Sequence, residues 1–368
     1  MSILSSWTVF DSAMMLALSL CVSAFCCLLI LATKKWHVRI SADAAEGVQK
    51  IHQGLIPRIG GVALYSTFAV MVPLLFAFQT GLTQSAAMNI ALYLLAALPV
   101  FLAGIIEDFT KIISPTIRLI AACMSGVCGW FLGIQVNEVE LPIVDSLLAF
   151  APASLILTVV IVAALSNAIN MMDGMNGFVT GFSIVAFGIF SYFAHLAGDS
   201  QLVITCFVIM GALAGFGLFN WPFARLFLGD GGAYMIGVLL AFVAFQLASR
   251  SETITQAFTL VILVYPAWEI SFSMLRRIRK KAAMTAPDND HLHARLYHFL
   301  HHRYQVEPKR ANPTTSFILT VIILLVALLS AWIMTTWHLP QGFKFIIVLV
   351  TFAVFSYLHR AFYINKVR

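Results

Sequence analysis

Eleven long apolar segments, separated by shorter polar ones, recur along almost the whole chain. Each is about 20 residues long, the length that an α-helix needs to cross the roughly 30 Å hydrocarbon core of a bilayer. The pattern predicts transmembrane helices at residues 10–33, 61–79, 88–106, 116–133, 150–168, 178–196, 201–220, 231–248, 255–275, 314–336 and 342–362.

The composition supports this interpretation. Hydrophobic residues make up 61% of the 368 residues and charged residues only 10%, whereas a soluble globular protein carries about 25% charged residues. The bilayer must therefore be the solvent for most of the surface. We predict an all-α, polytopic transmembrane helical bundle that forms a single integral membrane domain over residues 1–368.

Positive charge is distributed unevenly between the two sides of this bundle. If Lys34 and Lys35 are cytoplasmic, 20 of the 22 Lys and Arg residues fall on that side, and only Arg250 and Lys344 fall on the other. Because loops rich in Lys and Arg stay in the cytoplasm, we expect the N-terminus outside and the C-terminus inside. The topology explains the net charge of +6 without nucleic acid as a partner.

Polar residues that are suited to catalysis or ligand binding concentrate at the cytoplasmic ends of the predicted spans. In the first inside loop His52 and Arg58 could contact phosphate, although a turn with topology-setting charges explains this segment equally well. The third span ends in the adjacent carboxylates of Glu107 and Asp108, followed by Lys111. Such a pair favours a cation, a proton or a phosphate partner. The alternative is an ordinary interfacial cluster with an i,i+4 pair.

Two further polar segments lie at the end of the fifth predicted span and at the start of the eighth. At the end of the fifth span, four polar residues are spaced by three: Asn167, Asn170, Asp173 and Asn176. They require a wet cavity or polar partner helices, and a structural carboxamide network is the alternative. The sequence Gly-Asp-Gly-Gly at 229–232 stands at the start of the eighth predicted span, 231–248. It offers free amide donors and one hard oxygen ligand, which suits Mg²⁺ bound to phosphates; an N-cap Asp230 is the alternative.

The long cytoplasmic loop, residues 276–313, is basic and rich in histidine. Its basic stretch at 276–281 is typical of attraction to anionic lipid. The spacing of His298 and His302 raises zinc as one interpretation, but cysteine and a third ligand at a typical spacing are lacking, and phosphate binding is favoured. Glu269, in the ninth span, is either a helix-helix tether or a catalytic group.

The order of these segments resembles the polyprenyl-phosphate N-acetylhexosamine-1-phosphate transferase family, and within it the undecaprenyl-phosphate GlcNAc-1-phosphate transferase branch. The most specific match is Asn-x-x-Asn-Met-x-Asp-Gly-x-Asn-Gly at 167–177. The other matches are the loop at 52–61, the acidic pair with Lys111, the turn from Asn220 through Pro222 to Phe227-Leu-Gly-Asp230, and His291-Leu-His293. Members commonly have Asp at Glu107 and His at Ala294, and bacterial members often have Asp at Asn176.

The resemblance implies an integral membrane enzyme of the bacterial inner membrane with its active site on the cytoplasmic face. The implied reaction transfers a HexNAc-1-phosphate from a UDP-N-acetylhexosamine to undecaprenyl phosphate, releases UMP and initiates cell-surface glycan synthesis. Mg²⁺, with Mn²⁺ as an alternative, is the implied cofactor, and membrane lipid and a second copy of the chain are candidate partners. The implied metal ligands are Asp230 and Asp173, and the implied catalytic residues are Asp108, Glu107, Asp173 and His291. The implied substrate-binding residues are His52, Lys111, Asn167, Asn170, Asn176, Asn220, Phe227, His293 and Arg295.

Two other classes of membrane protein are alternatives to this interpretation. A secondary transporter also combines broken helices with intramembrane polar groups, but it would place them near mid-membrane and commonly contains an internal repeat. A CDP-alcohol phosphotransferase is also a membrane Mg²⁺ enzyme, but its spaced Asp-Gly and Ala-Arg signature does not occur here. The sugar donor stays open, because a single hydroxyl or acetamido group is recognised by loop geometry.

Overall fold

The computed structural model describes residues 9–41, 55–251, 254–281, 288, 290–336 and 341–363, whose regular secondary structure consists of fifteen α-helices. In chain order they are α1 (Val9–Ala32), α2 (Lys34–Ser41), α3 (Gly60–Ala77), α4 (Gly81–Thr110), α5 (Pro115–Phe131), α6 (Pro142–Leu148), α7 (Ala151–Met172), α8 (Phe178–Leu196), α9 (Ser200–Asn220), α10 (Gly229–Ser249), α11 (Gln256–Ile262), α12 (Val264–Arg279), α13 (Leu292–Arg303), α14 (Pro308–Thr336) and α15 (Gln341–Ala361). The prediction of an all-α fold is confirmed.

Helices long and apolar enough to cross a bilayer account for most of the described residues. Nine helices of the described chain meet this criterion, and the bent pair of α11 and α12 raises the number to ten. The prediction of a polytopic bundle is confirmed, but the count of eleven is reached only when α5 is added. That helix has 17 residues, and at 1.5 Å per residue it is about 25 Å long, shorter than the hydrocarbon core.

Each predicted span corresponds to one of these helices or to the α11–α12 pair, with differences at the ends. The largest difference is in α4, which begins at Gly81 instead of residue 88. Thr80 caps this helix by accepting the backbone N–H of Thr83 at 3.1 Å, and a hydropathy window does not register such a polar cap. The short helices α2, α6 and α13 were not predicted, since none has the length of a span.

The helix α10 lies at the centre of the bundle. All its residues from Gly229 to Ala248 are buried, and it contacts α3, α4, α5, α7, α8, α9 and α11. Glycine permits this close packing: a Cβ on Gly104 of α4 would lie 2.5 Å from the Cα of Gly231, and one on Gly61 of α3 would overlap the backbone at Gly232. Three helices therefore meet backbone to backbone where α10 begins.

The ninth predicted span is broken into α11 and α12, which form an angle of 78°. Pro266 lies in the first turn of α12. Because proline has no N–H, it cannot bond the carbonyl at Ile262, where α11 ends. The bend carries α12 towards α15, where Trp268 Nε1 donates to Ser356 Oγ at 3.0 Å. It thereby brings the polar side of α12 next to the segment that precedes α13.

Candidate active site

Asp230 stands in the first turn of the central helix, and three side chains from other elements converge on its carboxylate. Arg58, which precedes α3, and Asn170 of α7 each donate to Oδ1 at 3.2 Å. Arg118 of α5 donates from Nη1 to Oδ2. Asp230 is only 7% exposed, so two guanidinium groups and an amide surround an almost buried charge. We call the surroundings of this carboxylate the Asp230 site.

Asp108, at the end of α4, caps the start of the central helix. Its Oδ1 accepts the backbone N–H of Asp230 at 2.9 Å, and its Oδ2 accepts that of Gly231 at 3.1 Å. The first N–H groups of a helix lack partners within the helix and favour a negative charge. The cap therefore comes from a distant residue and not from Asp230, and both oxygens of the fully buried Asp108 carboxylate are engaged.

The segment that leads into α10 is fixed against the segment before α3. Phe227 N–H donates to the Pro57 carbonyl at 2.9 Å, and the carbonyls of Phe227 and Leu228 accept the N–H groups of Gly60 and Gly61 at 2.9 and 2.8 Å. Gly229 has a φ of +77°, and a Cβ there would overlap the Arg58 carbonyl and the Asp108 carboxylate. These contacts join the predicted 52–61 loop to the Gly-Asp-Gly-Gly segment, although His52 itself lies outside the described residues.

Helix α7 ends at Met172, so the four polar residues spaced by three do not form a single helical stripe. Asn167 Nδ2 donates to the Ala163 carbonyl within the helix, at 2.8 Å, whereas Asn170 reaches Asp230. Asp173 follows the helix and is partly buried, and its carboxylate accepts no hydrogen bond from any other residue in the described ranges. Burial, together with the negative charges of Asp230 and Asp108, raises the pKa of Asp173, and Arg58 opposes this shift.

Three asparagines hold the turn after α7 in place. Asn220 Oδ1 accepts the N–H of Gly177 at 2.7 Å, and its Nδ2 donates to the Leu226 carbonyl at 3.0 Å. Asn176 donates from Nδ2 to the Pro222 carbonyl at 3.0 Å, and its backbone N–H is accepted by Asn312 Oδ1 at 2.8 Å. The structural carboxamide network is thus present at Asn176, and it includes Asn220 and Asn312 of α14, which the sequence analysis had not placed in it.

The histidine motif packs against this turn from the other side. His291 Nδ1 lies 2.8 Å from Glu269 Oε1 of α12, and the His291 ring is parallel to that of His293, with 5.3 Å between the centroids. A Cβ on Gly174 would lie 3.0 Å from His293 Nε2, so the second histidine borders the residue next to Asp173. Burial and the neighbouring His291 lower the pKa of His293 to about 4.

Arg295 points away from this cluster. Its Nη2 donates to Asp290 Oδ2 at 2.8 Å and its Nη1 to the His359 carbonyl of α15 at 2.6 Å, and its guanidinium lies 4.9 Å from the ring centroid of Tyr363. The Arg295 side chain therefore holds α13 against α15, and the structure does not bring it to the Asp230 site. Arg295 also contributes to lowering the pKa of Asp290.

The remaining polar residues of the sequence analysis lie at the end of α4 and on α13. Glu107 accepts the backbone N–H of Ile113 at 2.8 Å and so fixes the connection between α4 and α5. Lys111 ends α4 with a left-handed φ of 56° and is exposed. His298 and His302 stack on each other on α13, with centroids 5.9 Å apart.

Arg118 is the most important residue that the sequence analysis passed over. It lies inside the predicted span 116–133, where an arginine is costly unless it pairs or reaches a polar cavity. That cost was the signal that could have identified it. The sequence suggested Arg58 only as a possible phosphate contact and not as a partner of Asp230, because no periodicity links two residues that are 172 positions apart.

Asp173 and Asp230 offer the oxygen ligands that Mg²⁺ prefers. The two carboxylates repel each other, a dication would relieve that repulsion, and the oxygens of Asp173 have no competing donor among the described residues. No group of three or more His, Cys, Asp or Glu side chains in these ranges is placed to hold a metal by itself. The residues thus fit a cation that shares its coordination with substrate phosphates.

Known proteins are similar to this one over most of the chain. Residues 90–248, which include Asp108, Asp173 and Asp230, match the Glycosyl transferase family 4 description. The chain is 24% identical to a "Probable undecaprenyl-phosphate N-acetylglucosaminyl 1-phosphate transferase" of Bacillus subtilis (strain 168), over 74% of this chain and 75% of the relative.

Two "Undecaprenyl-phosphate alpha-N-acetylglucosaminyl 1-phosphate transferase" relatives are also similar. The protein of Yersinia pestis is 27% identical over 71% of this chain and 70% of its own length. That of Escherichia coli O157:H7 is 24% identical over 90% of this chain and 88% of its own length. These are distant homologies, and they extend well beyond the polar segments on which the resemblance was based.

Proposed function

Because the chain belongs to glycosyl transferase family 4, we propose that it transfers a HexNAc-1-phosphate from a UDP-sugar to undecaprenyl phosphate. The products are UMP and a lipid diphosphate sugar that initiates cell-surface glycan synthesis. The observation that carries the proposal is the convergence on the Asp230 carboxylate of Arg58, Arg118 and Asn170, from three different elements. Cations around a metal-competent carboxylate are what a diphosphate donor requires.

The proposed role of the arginines follows from the charges of the reactants. A phosphate that attacks a diphosphate brings several negative charges together, so the barrier is lowered chiefly by neutralisation and alignment. Arg58 and Arg118 lie beside Asp230, and Arg118 Nε is buried without a hydrogen-bond partner among the described residues. We assign both guanidinium groups to the diphosphate oxygens, with Lys111 and His293 as further donors; His52, which lies outside the described residues, stays a candidate from its sequence.

Mg²⁺ or Mn²⁺, when bound with the donor, neutralises the diphosphate and stabilises the departing phosphate oxygens. Asp230 and Asp173 would hold it, and Asn170 orients the Asp230 carboxylate. Asp108 contributes by positioning, because its two hydrogen bonds fix the first turn of α10. Glu107 supports the same end of α4 through Ile113. Phe227 is the proposed stacking partner of uracil, and the asparagines at 167, 176 and 220 maintain the pocket.

An apolar cavity supplies a place for the lipid acceptor. It has a volume of about 440 Å³ and lies between α7, α10 and the α11–α12 pair. Its lining extends along α7 from Leu157 to Leu165, and on α12 it reaches Ile270, the residue after Glu269. A prenyl chain in this cavity would gain the burial of apolar surface, and we assign its phosphate to the end of the cavity that Ile270 of α12 lines.

The proposed topology places this chemistry at the inner leaflet of a bacterial inner membrane. The positive-inside rule supports an outer N-terminus and an inner C-terminus. This arrangement has eleven spans and therefore requires α5 to cross the membrane, with local thinning of the bilayer or a tilt of its neighbours to accommodate its length. The UDP-sugar is then drawn from the cytoplasm, and the acceptor is drawn from the surrounding lipid.

The nucleotide product tests the proposed reaction. Purified protein is incubated with Mg²⁺, undecaprenyl phosphate and a panel of UDP-sugars, and the nucleotide is identified by chromatography. We expect UMP, because the bond between the bridging oxygen and the sugar-bearing phosphorus of the donor is broken. Release of UDP, which corresponds to transfer of the sugar without its phosphate, or of no nucleotide with any donor in the panel, would contradict the proposal.

A further inference from the structure

Glu269 is a fully buried carboxylate, and the three groups in contact with its oxygens are hydrogen-bond donors. Oε1 lies 2.8 Å from His291 Nδ1, and Oε2 accepts the Tyr265 hydroxyl at 3.0 Å and the Leu292 N–H at 3.4 Å. An ionised carboxylate can only accept hydrogen bonds. The hydrogen between Glu269 and His291 must therefore reside on Nδ1, which leaves Nε2 of the neutral ring with its lone pair.

A purely structural role for Glu269 is redundant. The segment before α13 is already held by Asp288, which binds Arg276 at 2.6 Å and Ser273 at 2.7 Å, and by the pair of Asp290 and Arg295. Burying a carboxylate is costly, and an amide would hold the Leu292 N–H equally well. Unlike an amide, the carboxylate can only accept a hydrogen bond from His291 Nδ1–H.

The position of the His291 ring shows what the Nδ1–H tautomer can do. His291 stacks in parallel on His293, whose Nε2 borders Gly174, next to Asp173. The Nε2 atom of His291 makes no hydrogen bond to any residue of the described ranges. Ile270, beside Glu269 on α12, lines the apolar cavity assigned to the acceptor lipid. Asp108, another of the implied catalytic residues, has both oxygens occupied by backbone N–H groups.

We propose that Glu269 is a positioning residue that holds His291 in the Nδ1–H tautomer, so that Nε2 takes the proton from the phosphate of the polyprenyl acceptor. This inference rests on the proposed function. The acceptor O–H bond breaks, its electron pair stays on oxygen, and the proton is bound by Nε2. The oxygen then forms a bond to the sugar-bearing phosphorus of the donor while the bond from that phosphorus to the bridging oxygen breaks. UMP leaves with the bridging oxygen, and its phosphate, with a second pKa of about 6, accepts the proton from Nε2.

The test is a double-mutant cycle with the variants Glu269→Gln, His291→Gln and their combination. Glutamine keeps the contacts to Tyr265 and Leu292, but its NH₂ group faces Nδ1 and imposes the opposite tautomer. We expect Glu269→Gln to lower kcat by about 10²- to 10⁴-fold, with a much smaller change in KM for the UDP-sugar. In the His291→Gln background the same substitution should cost little further activity, because Glu269 acts through His291.

A matched control and a second readout make the result decisive. Asp199→Asn also neutralises an ion-paired carboxylate, one that binds Arg250 at the opposite end of α10, and should leave kcat unchanged. Melting temperatures establish that each variant is folded. Equal losses from Glu269→Gln in both backgrounds would overturn the inference, because a structural role does not depend on His291.

The tautomer can be read independently of turnover by ¹⁵N NMR of histidine-labelled protein, with His291 assigned from its substitution. We expect protonated Nδ1 in the unmodified chain and protonated Nε2 in Glu269→Gln, and an unchanged tautomer would contradict the inference. Absence of UMP release from the unmodified protein would reject the proposed reaction and with it the proton transfer. UMP release with additive losses would reject the role of Glu269 alone.

Discussion

At the scale of single residues, the Asp230 site shows how much a carboxylate depends on groups far away in sequence. The motif Gly-Asp-Gly-Gly indicated an oxygen ligand at the start of a helix, and Asp230 is found there. What the sequence could not indicate is that Arg58 and Arg118 both bind it, because side chains from α5 and from the segment before α3 meet only after the helices pack. Asn312 was missed for the same reason.

Replacing Asp230 with asparagine tests its proposed role in holding the cation. Asp230→Asn keeps the size of the side chain but removes the charge that faces the arginines, and we expect kcat to fall by about 10³-fold or more while the protein stays folded. Raising the Mg²⁺ concentration should recover part of the activity if the metal is bound more weakly. Near-normal turnover at the original Mg²⁺ concentration would contradict the assignment.

The buried ring of His293 should make stability depend on pH. Its pKa of about 4 in the folded protein is lower than the ordinary value of 6.5. Between these two pH values the unfolded chain therefore binds a proton at His293 and the folded chain does not. The contribution of His293 is therefore complete above about pH 6.5 and is lost as the pH falls from there towards 4. We expect the melting temperature to decrease between pH 7 and pH 5, and to decrease less in His293→Gln. Equal decreases in both proteins would assign the acid sensitivity to other groups.

At the scale of helices, hydropathy located the spans well because burial in lipid requires about 20 apolar residues whatever their order. It could not locate helix ends set by polar caps, such as Thr80 before α4, nor the break between α11 and α12. It also gave no information about which helix is central. The position of α10 follows from its glycines, since Gly231 and Gly232 meet Gly104 and Gly61 in space.

The contact between α4 and α10 should therefore be intolerant of even one methyl group. In Gly104→Ala the added Cβ would lie 2.5 Å from the Cα of Gly231, and overpacking of this kind costs about 1–3 kcal/mol. We expect a lower melting temperature and, because Asp108 caps α10 from the same helix, reduced activity. Gly81→Ala on α4 is the matched control, since nothing lies within 4 Å of a Cβ there. Equal melting temperatures for the two variants would contradict this account.

At the scale of the whole molecule, the sequence predicted the all-helical architecture and the grouping of polar segments at helix ends, and the structure joins several of them. Asp108, Asn170 and Asp230 meet at one end of α10, and the His293 ring borders the turn after Asp173. This arrangement differs from that of a secondary transporter, whose binding groups lie near mid-membrane on broken helices. Arg295 stands apart, because a basic residue near a histidine motif looks the same in sequence whether it faces substrate or a neighbouring helix.

The complete burial of α10 has a consequence for the fate of the proposed product. Every residue of this helix from Gly229 to Ala248 is buried, and its glycines pack directly against the backbones of α3 and α4. Among the described residues, the centre of the bundle is therefore filled by protein. We expect the proposed lipid diphosphate sugar to reach the opposite leaflet through a separate protein, so that its synthesis and its translocation can be regulated independently.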